Sequence, residues 1–152
     1  MSYSKIPFDQ VKLEVEKIFL PSEFTNWNFL PEDIYSLAVS AGIQPQQKKI
    51  DGWDLFENGR IDFSDDMFFN SLFEKIKLLE NTVIIITDEC FIDSSAYALA
   101  GKYLTEFAST TYPEIHQADF FQPSDMIFIF PDDQRLIILH HEGYVLEFKG
   151  KG

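Results

Sequence analysis

Residues 126–148 read MIFIFPDDQRLIILHHEGYVLEF, and the fold is decided by how this stretch is parsed. Three runs of strand length, Met126–Phe130, Arg135–His140 and Tyr144–Phe148, are rich in Ile, Phe, Leu, Val and Tyr, residues that suit a pleated, packed surface. Pro131-Asp132-Asp133-Gln134 separates the first two runs, and a turn around Glu142-Gly143 separates the last two. The spacing predicts an antiparallel meander. Upstream, Val83-Ile84-Ile85-Ile86-Thr87 is apolar at successive positions, which predicts a central strand covered on both faces.

Helical periodicity occupies most of the rest. Phe8, Val11, Val15, Ile18 and Phe19 share one helical face, with Pro7 before them and Pro21 after them. Pro31, Glu32 and Asp33 open a second helix that carries Ile34, Leu37, Ala38 and Ala41 and stops at Gly42. Between the two, residues 22–29 read as a connector bearing Trp27. At 53–63 the alternation of Trp53, Leu55, Ile61 and Phe63 around Asn58-Gly59 predicts a hairpin. A third helix is expected from Ser64 through Phe68, Phe69, Leu72, Phe73, Ile76 and Leu79, with Lys75 and Lys77 at its end. A fourth is expected after a cap at Asp93 or Ser94, with Ala96, Leu99, Ala100, Tyr103, Leu104, Phe107 and Ala108 as its stripe. Residues 110–125 then read as a long loop bearing Phe120-Phe121. The expected fold is one α+β domain over residues 1–149 with a frayed tail at 150–152. Its four main helices pack on a mostly antiparallel sheet in the order ααββαβαβββ.

Composition narrows the function classes. The chain has 152 residues, 25 Asp plus Glu against 12 Lys plus Arg, a formal net charge of −13, and 16 Phe. That length and apolar content support one substantial core. Excess negative charge repels phosphate backbones and anionic membranes, so direct nucleic-acid or membrane binding is not expected. Between residues 81 and 148 there are 11 acidic side chains and two basic ones, Lys102 and Arg135, a segment charge of −9. A single cysteine, Cys90, excludes an internal disulfide and a multi-cysteine zinc site. The charged N-terminal stretch lacks the apolar core of a signal peptide, so a reducing, cytoplasmic setting is expected.

Candidate chemical groups are sparse. His140, His141 and Glu142 invite a metal reading, but strand alternation sends neighbours to opposite faces, so only His140 and Glu142 converge on that logic. His116 or Asp119 is needed as a third ligand, and no His-Glu-x-x-His pattern is present. Asp88 and Glu89 follow the central strand, where open sheets place functional carboxylates, or where such residues simply shape the turn. Neighbouring acids make Cys90 a poor nucleophile. No phosphate-binding glycine motif and no Gly-x-Ser-x-Gly elbow occurs. No metal, cofactor or catalytic residue is therefore assigned.

Leu30-Pro31-Glu32-Asp33 and Gly42, within residues 6–42, resemble the SUKH superfamily, in which an early Leu-Pro pair opens a helix. As a small acidic α+β protein without catalytic motifs, the chain also looks like the immunity proteins with which bacteria neutralise polymorphic toxins, a role many SUKH members share, and the resemblance implies a binding protein. It carries no catalytic residue across. The expected function is a non-enzymatic acidic protein that occludes a basic toxin domain, such as a nuclease. Asp88, Glu89, Asp132, Asp133 and Glu142 are the expected contact residues, with Phe120-Phe121 or the aromatics near Trp27 as candidate apolar anchors, Phe120-Phe121 reading equally as core. One alternative is a small hydrolase or metal-assisted enzyme using His140, Glu142, His116 and Asp88 or Glu89. Another is a structural or assembly subunit that forms a homo-oligomer.

Overall fold

A computed structural model of the chain describes residues 3–21, 26–73 and 81–150. Seven strands form one sheet: β1 (Ser4–Pro7), β2 (Gln46–Lys49), β3 (Thr82–Ile86), β4 (Ser95–Ala100), β5 (Met126–Phe130), β6 (Arg135–Leu139) and β7 (Tyr144–Lys149). Their spatial order is β1-β4-β3-β5-β6-β7-β2, and every neighbouring pair is antiparallel. The helices are α1 (Phe8–Phe19), α2 (Pro31–Ser40), α3 (Trp53–Glu57), α4 (Asp65–Phe73), α5 (Cys90–Asp93), α6 (Leu104–Glu106) and α7 (Tyr112–His116). The domain is α+β, as the pattern of elements predicts. Among the described residues no helix is long and apolar enough to cross a membrane.

The register explains the layers. Phe148, Leu136, Ile129 and Ile84 are successive cross-strand partners and so share one face. There α1 packs, with Phe19 5.6 Å from Phe148. Phe128, Ile85 and Tyr97 are partners on the other face, which receives Phe73 of α4, Phe107 and Tyr112. All five residues of β5 are buried, because both faces are covered. The edges are blunted differently. β2 is four exposed polar residues ending in Lys48 and Lys49, and β1 is short and ends in Pro7.

Several sequence expectations are met. α1 buries Val11, Val15, Ile18 and Phe19, and α2 starts at Pro31 and is followed by Gly42 at φ +79°. The meander and the central VIII strand are where they were expected, and Ser64 caps α4 by accepting from the Met67 amide at 3.2 Å.

Other expectations fail, each for a physical reason. Residues 53–63 do not form a hairpin. Trp53–Glu57 is a helical turn that buries Trp53, and Gly59, at φ +73°, reverses the chain after it so that Phe63 stacks on Phe56 at 4.7 Å. The expected helix from Ser94 is instead strand β4 followed by helix. Ala96, Tyr97 and Leu99 fit either period, and the vacant edge of β3 takes them as a strand. Ser94 is not a cap for that segment but a left-handed residue, φ 53°, that ends α5. The helical half of the stripe survives as a continuous right-handed run from Leu104 to His116, with a π-helical turn at Phe107–Thr111, so the expected loop begins only at Gln117. β1 and β2 carry no strand-like apolar signal and were not expected.

Phe120 and Phe121 are core, not surface anchors. Phe121 stacks on Phe68 at 4.4 Å and Phe120 lies 5.1 Å from Tyr112. Trp27 is also buried, its indole N–H donating to Glu16 at 3.1 Å. Gly150, expected in a frayed tail, donates its amide to the Gln134 carbonyl at 2.8 Å. Residues 22–25 of the connector, Lys75, Ile76, Lys77 and Leu79 of the third helix, and 151–152 of the tail lie outside the described residues.

Two glycines give a test of packing. Gly143, at φ +88°, sits where a Cβ would approach Trp53 Cγ to 2.3 Å, whereas Gly59 has nothing within 4 Å. Gly143→Ala should cost about 2–4 kcal/mol, combining left-handed strain with overpacking, and Gly59→Ala about 1 kcal/mol. Urea unfolding of the two variants checks the ranking, and equal midpoints would show that the turn yields.

Candidate functional site

Antiparallel pairing places the end of β3, the start of β5, the end of β6 and the start of β7 side by side. Asp88 and Glu89 leave β3 there, Asp125 enters β5, and His140, His141 and Glu142 form the β6–β7 turn. Asp132 and Asp133 lie at the β5–β6 turn, at the opposite end of the sheet, where Asn81 donates to Asp133 at 3.2 Å. The five expected contact residues therefore divide into Asp88, Glu89 and Glu142 at one end and Asp132 and Asp133 at the other, not one acidic face.

The first group at the populated end is a hydrogen-bonded cluster centred on Tyr97. Its hydroxyl donates to Glu89 Oε1 at 3.0 Å and lies 2.7 Å from His116 Nε2. Since an ionised carboxylate can only accept, Tyr97 spends its one proton on Glu89, and His116 donates from Nε2 to the phenol oxygen. Burial raises the Glu89 pKa, but hydrogen bonds from Thr87, its own amide, Tyr112 and Tyr97 outweigh that effect and hold the carboxyl below its usual range. Burial, followed by the Glu89 charge, pushes the Tyr97 phenol well above its ordinary value. Cys90 is fully buried, and that burial, more than the charge of neighbouring Glu89, raises its thiol pKa.

The second group is built by the β6–β7 turn. The Asp125 carboxylate accepts from the His141 amide at 2.8 Å and faces His141 Nδ1 at 2.9 Å. That bond, only partly opposed by desolvation, raises the His141 pKa. The rings of His140 and His141 stack with centroids 4.1 Å apart. The expectation that they diverge fails because β6 ends at Leu139, so alternation no longer governs His140 and His141. The Glu142 amide donates to His140 Nδ1 at 3.1 Å, and Glu142 Oε2 lies 4.0 Å from the same nitrogen. Asp88 is linked to this group through space: burial, then Asp125 and Glu89, raise its pKa, and His141 lowers it.

Beside the turn, His140, Glu142, Tyr144 and Leu146 line a groove of about 360 Å³ against Pro31 and Tyr35 of α2. His116 and Glu89 belong to the Tyr97 cluster instead, 3.7 Å from each other. Among the described residues the trio whose ligand atoms all lie within 4.8 Å is Asp125, His140 and His141. The four-group constellation of the hydrolase alternative is therefore not assembled as one centre.

The third feature is apolar. α5 exposes Ile92 (87%) and Phe91 (42%), and Asp88, Glu89 and Asp93 flank them in sequence. Phe91 rests edge-on against Phe8 at 5.3 Å, while Ile92 projects into solvent. Sequence reading passed over this pair, although two large apolar residues amid acids directly after a central strand were a visible signal. Asp125 was equally legible. In a hairpin that pairs Phe130 with Arg135 and Met126 with Leu139, residue 125 falls opposite residue 140.

The chain matches no family model, no curated protein and no solved structure.

The Tyr97 cluster predicts a pH dependence. Because the Glu89 pKa is lower folded than unfolded, its stabilisation is complete above the ordinary Glu range and is lost as pH falls through the lowered value. Tyr97→Phe should therefore cost about 1–2 kcal/mol at about pH 7, and the gap to the parent should narrow towards about pH 3. Denaturant unfolding at both values checks this, and a constant gap would assign the loss to packing.

Proposed function

We propose that the protein is a non-enzymatic binding protein whose acidic end docks a basic protein domain, and that it acts as an immunity protein by occluding a toxin active site or substrate surface. The carrying observation is the α5 knob. A side chain as exposed as Ile92 loses hydrophobic free energy unless a partner covers it, and its flanking carboxylates favour a cationic rim around the partner's pocket. The net charge of −13 adds long-range steering towards such a partner. The Leu30-Pro31-Glu32-Asp33 resemblance to SUKH proteins points the same way. Glu89 is committed to Tyr97, so the contact charge rests chiefly on Asp88, and on Asp93, which Lys5 offsets in part from 3.9 Å, with Glu142 on the same sheet end. Asp132 and Asp133, at the opposite end of the sheet, are assigned no part in that contact. The assembly-subunit alternative draws little support from the sheet edges, which are short or lysine-bearing.

Capture from a host lysate at low salt should recover a basic protein, and at about 0.5 M salt, where the Debye length is a few ångströms, recovery should drop sharply. With the recovered partner, Ile92→Asp should weaken binding by about 2 kcal/mol or more through faster dissociation. Asp88→Lys with Asp93→Lys should slow association and flatten its salt dependence, while Asp132→Lys should change it little. Binding that ignores both salt and Ile92→Asp would overturn the proposal.

A further inference from the structure

We propose that Asp125, His140 and His141 form a binding site for one divalent first-row transition-metal ion of the zinc class. The site adjoins Asp88 and Glu142 of the docking end but uses other residues, and it does not depend on the proposed function. Two imidazoles and a carboxylate are a borderline-soft donor set, suited to zinc, cobalt or nickel and poorly suited to calcium or magnesium. All three ligand atoms already lie within 4.8 Å of one another. Asp125 Oδ1 and His141 Nδ1 are 2.9 Å apart, while two ligands of a tetrahedral zinc with bonds near 2.0–2.1 Å stand about 3.3 Å apart. Replacing the proton between them with an ion needs an opening of only a few tenths of an ångström. His140, stacked on His141, then turns one ring nitrogen towards the same point, and solvent at the exposed His141 supplies the fourth position.

What distinguishes this trio from a chance surface cluster is its support. The turn that carries both histidines is bonded on every side: His140 N–H to the Tyr144 carbonyl at 2.8 Å, Gly143 N–H to the His140 carbonyl at 2.8 Å, and Ile50 N–H to the Gly143 carbonyl at 2.9 Å. The Trp53 indole donates to the His141 carbonyl at 3.2 Å, and the Lys49 ammonium to the Glu142 carbonyl at 2.7 Å. Ligands held by such outer contacts lose little freedom on binding an ion, which is how metal sites gain affinity.

The test uses the full chain, stripped with a chelator and titrated with Zn²⁺ by calorimetry and with Co²⁺ by visible absorption. Expected are one ion per chain with micromolar or tighter affinity and a raised melting temperature. His141→Gln and Asp125→Asn should each lower the affinity about tenfold or more. His116→Gln, in the Tyr97 cluster, should leave it unchanged. His141 is exposed, so its variant should keep its fold, which far-UV circular dichroism and the metal-free melting temperature verify. Ring-nitrogen shifts of His140 and His141 on adding Zn²⁺ identify the ligands independently. Binding only at millimolar ion, or binding unaltered in His141→Gln, would overturn the proposal.

Discussion

Burial of the β5 strand on both faces is the constraint on which the structure depends. Met126, Ile127, Phe128, Ile129 and Phe130 are all at most 1% exposed. A strand with no polar face cannot lie at a sheet edge or under a single layer of helices, so both sides must be covered. α1 and α2 cover one side. α4, the 104–116 helical run and the Phe120-Phe121 segment cover the other. β3 and β6 flank β5, and each is buried through four consecutive residues.

The second layer is largely aromatic. Trp53, Phe56, Phe63, Phe68, Phe121 and Phe73 run from the β6–β7 turn to Phe128 and Phe130 at the sheet centre. Offset and edge-on ring contacts of this kind fill volume with few rotatable bonds. They also tie the candidate site to the core. The Trp53 that closes the cluster donates to the His141 carbonyl and leaves room for nothing larger than glycine at 143. The turn bearing His140, His141 and Glu142 is thereby fixed by packing as well as by the bonds that the two histidines make to Glu142 and Asp125.

Charge is arranged differently at the two ends of the sheet. At the β5–β6 end, Asp133 is bound to Asn81. At the other end carboxylates crowd together, with Glu89 satisfied by tyrosines and Asp125 by His141, while burial first and then repulsion from Asp125 and Glu89 raise the Asp88 pKa against partial relief from His141. That concentration of acid lies at the sheet end where Ile92 and Phe91 are exposed. It arises because antiparallel connectivity gathers four strand ends at one place.

The sequence by itself determined the elements whose pattern admits one period: α1, α2, the start of α4, the central strand and the meander. Their hydrophobic spacing encodes both secondary structure and buried face, and proline and glycine mark their limits. Tertiary structure decided the rest. Ala96-Tyr97-Ala98-Leu99 fits a helix or a strand, and the unpaired edge of β3 chose strand. Trp53–Glu57 fits a hairpin arm or a helical turn, and burial of Trp53 over Gly143 chose the turn. Polar segments such as Gln46–Lys49 become strands only because β7 offers hydrogen-bond partners. The same holds for the site. Residue types at 88–93, 125 and 140–142 were readable, but their convergence depends on strand order, a non-local property set by which faces must be buried together and not by any local sequence pattern.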